Sequence, residues 1–281
     1  MVEAPSQARI QHPNYHYLAS DALKAFKQMP ASEQEAIKSS LAEIHKPADV
    51  WIAEINETDI RFLCVGENHT NATRAFLARV FFSNFDIDTL LLEARPEEIS
   101  KILRHTDNGS RSVALLDADI SAIVRQVKQR NPGIRIKGIE ETLRQRTNRA
   151  GKPGTAREDS ILANLIQQYS PDEGRYVVLF GARHCGAIAH WLYPMTMDAL
   201  PELNGDDAMS IRVISEHQEG PLEAFIYFLD TIGMPPGSFA LINSETLHPW
   251  VRETFLLLWA QMVNLYDGIV VIRTEKKHPG T

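Results

Sequence analysis

From Asp59 onward the chain alternates short apolar runs with longer stretches in which apolar residues recur every three or four positions. The runs are RFLCVG (61–66), DTLLLEA (88–94), IRIKGIE (134–140), RYVVLFG (175–181), SIRVISEH (210–217) and DGIVVIRT (267–274). Amphipathic stretches fall between them at about 72–84, within 111–130, at about 157–169 and from about 186. Runs too short for helices, separated by helical periods, predict an α/β fold: a mostly parallel central sheet flanked by helices on both faces. TFLLLWAQMVNLY (254–266) reads as a long buried helix, interrupted by Gln261 and Asn264 and too short to cross a bilayer.

Residues 1–58 carry helical periodicity and no strand run, so a helical N-terminal extension precedes an α/β domain over 59–281. Ser32 followed by Glu35 predicts a capping box for a helix that runs to about His45 and is stopped by Pro47. After the third strand run, RQRTNRAGKPGTARED sets Arg144, Arg146, Arg149, Lys152 and Arg157 among glycines and a proline, which predicts a basic loop over 144–157.

Composition works mainly by exclusion. A net charge of −7 over 281 residues argues against a general nucleic-acid binder, which needs a basic surface to neutralise phosphates. The first residues, MVEAPSQARIQHPNYHY, lack the basic start and apolar stretch of a secretory signal, so a cytoplasmic location without a membrane partner is expected. Two cysteines cannot build a disulfide framework, which fits a reducing compartment; Cys64 and Cys185 are expected to be small buried residues. In that compartment the Asn71-Ala72-Thr73 sequon carries no meaning.

The chemistry gathers where the strand runs end. Gly66-Glu67-Asn68-His69 closes the first run, and Gly181-Ala182-Arg183-His184 repeats its Gly-x-x-His spacing after the fourth. Glu93 ends the second run and Glu140 the third. In an open parallel sheet those carboxyl ends line one crevice, where ligands bind. A glycine ahead of each histidine lets the backbone turn sharply and lets a ligand approach without a Cβ in the way. Imidazole with carboxylate oxygen suits a divalent metal, Zn, Mn or Fe, whose bound water becomes a hydroxide near neutral pH, with a spare glutamate as general base. Glu140 has a second reading, as a helix cap or the partner of a loop arginine. Arg95 and Arg183 flank the proposed ligands; they either hold an oxyanion or substrate carboxylate, or pair with Glu67 and Glu140 to brace the site. Glu216 and His217 end the fifth run and would add to the crevice. No G-x-G-x-x-G follows the first run, GKPGT lacks the setting of a phosphate loop, and no serine sits in a G-x-S-x-G elbow.

Paired Gly-x-x-His motifs with an intervening strand-end glutamate resemble the superfamily that joins TIKI proteases, TraB/PrgY proteins, erythromycin esterases and the haem-binding ChaN proteins. Gly66-Glu67-Asn68-His69 is most similar to the ChaN form; GARHCGAIAHWL (181–192) and Tyr266-Asp267-Gly268-Ile269-Val270 resemble later elements of these proteins. The likeness spans about residues 59–273. It implies that Glu67, His69, Glu93 and His184 form the catalytic or metal-binding set. The expectation is therefore a hydrolase, metal-dependent or using a His–Glu pair to activate water directly, that cleaves an ester or amide in a peptide or small-molecule substrate. A non-catalytic haem or iron carrier is the rival, with Tyr176, Tyr193 and His190 as the available axial ligands.

Overall fold

The computed structural model of the chain describes residues 15–107, 118–153, 156–172, 174–203, 205–215, 220–242, 248–256 and 265–273. Its strands are β1 (His45–Pro47), β2 (Phe62–Glu67), β3 (Thr89–Leu92), β4 (Arg135–Gly138), β5 (Tyr176–Gly181), β6 (Ala208–Ser215), β7 (Phe239–Ile242) and β8 (Gly268–Ile272). They form one sheet in the order β1-β7-β8-β6-β2-β5-β3-β4. Neighbours from β8 through to β4 are parallel, while β7 runs antiparallel to both β8 and β1. The result is the mostly parallel α/β sheet that the alternation predicts.

Every strand run read from the sequence is a strand, with its ends displaced by no more than two residues. The two strands that pattern reading missed, β1 and β7, span only three and four residues at one edge, too few for a period to register.

Helices cover both faces, and alternation along the central strands divides the core between them. Leu63, Val65, Leu90, Leu92, Val177 and Leu179 face one side. There they pack against α3 (Ala48–Asn56) and against α4 (Asn71–Phe76), which continues through a π-helical turn at Leu77–Phe81 into α5 (Phe82–Asn84). The helices α6 (Pro96–Asp107) and α7 (Ala118–Arg130) complete that layer. Phe62, Cys64, Leu91, Val178 and Phe180 face the other side. That side is covered by α9 (Ala156–Gln168), α10 (Ala182–Cys185) and α11 (Leu192–Ala199), with the short α8 (Leu143–Asn148) ahead of α9. β2 and β5 are buried along their whole length, which is why they read as continuous apolar runs rather than as alternation.

The N-terminal segment shares this core. Here α1 (Tyr15–Gln28) and α2 (Ala31–Ile44) pack with α12 (Gly220–Thr231) over β7 and β8. Trp51 of α3 lies against Gly268 so closely that a Cβ there would fall 2.2 Å from the indole. The helix expected at Ser32 starts at Ala31 with Pro30 as its N-cap, and no side chain caps it. Ser32 therefore sits inside the first turn and Glu35 pairs with Lys38 instead, so the capping box does not form. α6 and α12 went unread, the basic loop expected over 144–157 contains α8 and the start of α9, and the helix expected from about 186 begins only at α11, after α10 and a turn. Of the long helix expected over 254–266, the first residues are described as the end of a π-helical turn at Arg252–Leu256 that follows α13 (Pro249–Val251), and Leu265 and Tyr266 lie in a turn ahead of β8; 257–264 lie outside the described residues.

The cysteines require a correction. Cys64 and Cys185 are buried as expected, but they are joined by a disulfide. β2 runs directly beneath α10 and brings their Cα atoms to 5.4 Å, although 121 residues separate them along the chain. That juxtaposition belongs to the fold and leaves no trace in spacing. Among the described residues no helix is long and apolar enough to cross a membrane.

Candidate active site

The strand order reverses around β2, β5 and β3, and their carboxyl ends deliver the site residues to one place. Glu67 is the last residue of β2. Its carboxylate turns back over the following residues, accepting from the His69 backbone N–H at 2.6 Å and the Thr73 hydroxyl at 2.9 Å on Oε2, and from Arg74 Nε at 3.0 Å on Oε1. This local anchoring holds His69 in the left-handed region at φ 55°, a conformation a non-glycine residue keeps only when its surroundings impose it. Thr70 then caps α4 by a reciprocal bond with Thr73.

Held this way, the His69 ring projects into the crevice between two carboxylates. Nδ1 lies 2.9 Å from Glu67 Oε1, and Nε2 lies 3.4 Å from Glu93 Oε2. Arg74 Nη2 also approaches Nδ1 at 3.0 Å, so the ring has two settings: Nδ1–H donating to Glu67, or a bare Nδ1 accepting from Arg74. The bond to Glu67 raises the His69 pKa above its usual value of 6.5, against the opposing effect of burial. For Glu67 burial works upward, but His69 and Arg74 outweigh it and hold the carboxyl below 4.5. Only 2% of the Glu67 side chain is exposed, so it is a charged group whose partners are all supplied by the protein.

His184 forms the second pair. It lies in α10, 6% exposed, with Nδ1 3.0 Å from Oε2 of the buried Glu158 and its ring edge-on to Phe180 and Trp191. Nε2 points toward Arg157 Nη1 at 3.3 Å and Glu93 Oε1 at 3.8 Å. Glu93 is thus the meeting point of both histidines. It also accepts from the Gly181 backbone N–H at 2.6 Å and from Arg157 Nη2 at 2.9 Å. Arg157 reaches Glu140 through Nε and Nη2, and burial costs this guanidinium less than the two carboxylates return, so it stays charged.

The two glycines have roles more specific than giving a ligand access. A Cβ on Gly66 would stand 2.8 Å from the Ala182 backbone, so this position lets the turn into α10 settle on β2. A Cβ on Gly181 would stand 2.8 Å from His69 Nε2, so that glycine makes room for the first histidine. Tyr266 ties the same turn down by donating its hydroxyl to the Ala182 carbonyl at 2.7 Å.

A pocket of about 290 Å³ opens on this constellation. Glu67, His69, Arg74, Glu93, Glu98 and Glu140 give it a polar side, and Ile102, Ile120 and Leu179 an apolar one. His184 stands behind Glu93 and does not line it. Arg95 sits to one side, its Nε 3.9 Å from Glu98, and Arg183 is exposed on α10. The bracing role offered to Arg95 and Arg183 falls to Arg74 on Glu67 and Arg157 on Glu140. Glu216 and His217 lie outside the described residues. Sequence reading missed Arg74, Thr73 and Glu158. Arg74 and Thr73 lie within one turn of the Gly-x-x-His motif, a signal that was present, whereas Glu158 on His184 had none.

The donors as arranged do not fit a metal ion. Among the described residues no group of three or more His, Cys, Asp or Glu side chains is disposed to hold one. Both oxygens of Glu67 and of Glu93 already accept hydrogen bonds. The positive charge these acids require is supplied by Arg74 and Arg157. Of the expected haem ligands, Tyr176 is fully buried with its hydroxyl bonded to Arg135 and Ser170, and His190 is exposed on a turn.

No protein-family model matches the chain, and no curated protein matches it. Among solved structures, a bacterial protein toxin is 17% identical over 68% of this chain and 42% of its own, with a TM-score of 0.39. The C-terminal region of Pasteurella multocida toxin, described as having a thiol-protease-like catalytic triad, is 12% identical over 71% of this chain and 30% of its own, at 0.39. A succinoglycan biosynthesis protein is 12% identical over 87% of this chain and 98% of its own, at 0.49. The chain spans less than half the length of these toxin chains. At this level of likeness a shared activity does not follow.

Proposed function

We propose that the protein is a hydrolase that cleaves an ester or amide bond with water activated by His69, without a metal. The observation that carries this reading is the geometry of His69: Nδ1 on the ionised Glu67, Nε2 beside Glu93 on the wall of the pocket. With Nδ1–H donating to Glu67, Nε2 is the basic nitrogen and faces the substrate side. Water surrenders a proton to Nε2 as its oxygen bonds to the carbonyl carbon, and the tetrahedral oxyanion forms facing Arg74, the guanidinium on the pocket wall. Collapse breaks the bond to the leaving oxygen or nitrogen, which takes the proton back from His69. Glu93 orients the imidazolium. His184 is a positioning residue, held by Glu158 and steadying Glu93 and Arg157 from behind.

The resemblance of Gly66–His69 and Gly181–His184 to the TIKI and erythromycin esterase superfamily supports the same reaction class, and the apolar wall at Ile102, Ile120 and Leu179 suits a partly apolar acyl or peptide group. The test is a panel of chromogenic esters and short peptides with wild type, His69→Ala and Glu67→Gln, beside elemental analysis of protein purified without added metal or chelator. Hydrolysis that falls about a hundredfold or more in both variants, on metal-free protein, is expected. A stoichiometric transition metal that His69→Ala loses would overturn the metal-free mechanism.

A further inference from the structure

A second cavity, of about 300 Å³, lies beside the first at the same end of the sheet, and Glu140 lines both. Its walls are Arg95 after β3, Glu140 and Glu141 after β4, Arg146 in α8, Arg149 just beyond it and Arg157 in the first turn of α9. Four guanidinium groups against two carboxylates leave a charge of +2 in a chain whose net charge is −7. The pairing is uneven. Glu141, 4% exposed, is taken by Arg149, and Glu140 by Arg157. Among the described residues Arg95 has only the loose contact to Glu98, and no carboxylate pairs with Arg146.

Like charges gathered into a concave site repel one another, and the self-repulsion is relieved when an anion enters. Guanidinium forks match the paired oxygens of a tetrahedral oxyanion, and charge-assisted bonds of this kind are the strong ones. We propose that this cavity binds a phosphate-type dianion: it is a subsite for a phosphoryl group, held chiefly by Arg95 and Arg146 and completed by Arg149 and Arg157. The two cations without a close carboxylate match the two charges of that group. The wall shared through Glu140 puts it next to His69, so the phosphoryl group would be the anchor of a larger substrate whose ester or amide lies in the first pocket. That last step rests on the hydrolase reading; anion binding does not.

The probe is inorganic phosphate, titrated calorimetrically into the full chain in a low-salt zwitterionic buffer. One saturable site is expected, weakened by on the order of ten- to a hundredfold in Arg146→Gln and again in Arg95→Gln, as for losing a hydrogen bond to a charged group. Lys24→Gln on the distant α1 should leave it unchanged. Succinate, a dianion without a phosphoryl group, separates the two oxyanion chemistries and should bind less tightly. Absence of saturable phosphate binding, unaltered affinity in Arg146→Gln, or tighter binding of succinate would each overturn the assignment. Phosphate bound by a chain that hydrolyses nothing would sink the hydrolase reading alone, whereas hydrolysis without phosphate binding would sink only the subsite.

Discussion

Gly181→Ala isolates the geometry of His69 from everything else in the site. Gly181 has φ −54° and ψ 142°, values alanine adopts freely, so the backbone loses nothing. The new methyl carbon would stand 2.8 Å from His69 Nε2 and 3.4 Å from Glu93 Oε2, and ordinary contact begins at 3.4 Å, so the imidazole must recede by about 0.6 Å. It has somewhere to go, because 47% of the side chain is exposed. Fixing the unfolded chain by Gly→Ala contributes about 0.4–1 kcal/mol, and pushing a side chain off its rotamer costs about 0.5–1.5 kcal/mol, so stability should change by less than about 1 kcal/mol. Catalysis is less forgiving. A misplacement of about 1 Å costs up to about a hundredfold, so roughly tenfold or more is expected here. The assays are kcat/KM on the best substrate, thermal melting, and NMR titration of His69, whose pKa should shift as the ring moves relative to Glu67 and Glu93. A variant with unaltered His69 titration and unaltered activity would refute the reasoning, as would a loss of several kcal/mol in stability.

Four further outcomes follow, three from the same network and one from the disulfide. Arg74→Ala strands the buried Glu67 charge and should cost about 3–5 kcal/mol in denaturant unfolding near neutral pH, with the deficit shrinking as acid protonates the carboxyl. Hydrolysis should rise with pH through a His69 pKa above 6.5, and Glu67→Gln, which removes the chief cause of that elevation, should move the limb to lower pH. Stability carries the converse signature. The His69 contribution is complete below 6.5 and is lost as pH rises through its higher folded value, whereas that of Glu67 is complete above 4.5 and is lost as pH falls through its lower one. The pair should therefore stabilise most between pH 4.5 and 6.5, measured as unfolding free energy against pH with Glu67→Gln as reference. Finally, a disulfide closing a loop of 121 residues constrains the unfolded chain, and its reduction should lower stability by about 2–4 kcal/mol in paired melts with and without reductant.

What the sequence determined by itself was the kind of sheet and the end of it at which the candidate site residues gather. Strands buried on both faces must be apolar throughout, so RFLCVG, TLLL and RYVVLFG announced a parallel core, and a parallel core requires its ligating groups at the carboxyl ends. Glu67, His69, Glu93 and Glu140 were legible for that reason. Partners were not, except within a turn or two of the motif. Arg157 and Glu158 meet Glu93, Glu140 and His184 across 17 to 64 positions, and Cys64 meets Cys185 across 121, because β5 inserts between β2 and β3. The strand order alone decides such meetings, and local periodicity carries no record of it. Tertiary structure also decided which cation answers the acids. The sequence offered a set of ligands suited to a metal; the fold sets two arginines against the same carboxylates, since a buried carboxylate must be neutralised by whichever positive charge the packing brings within reach.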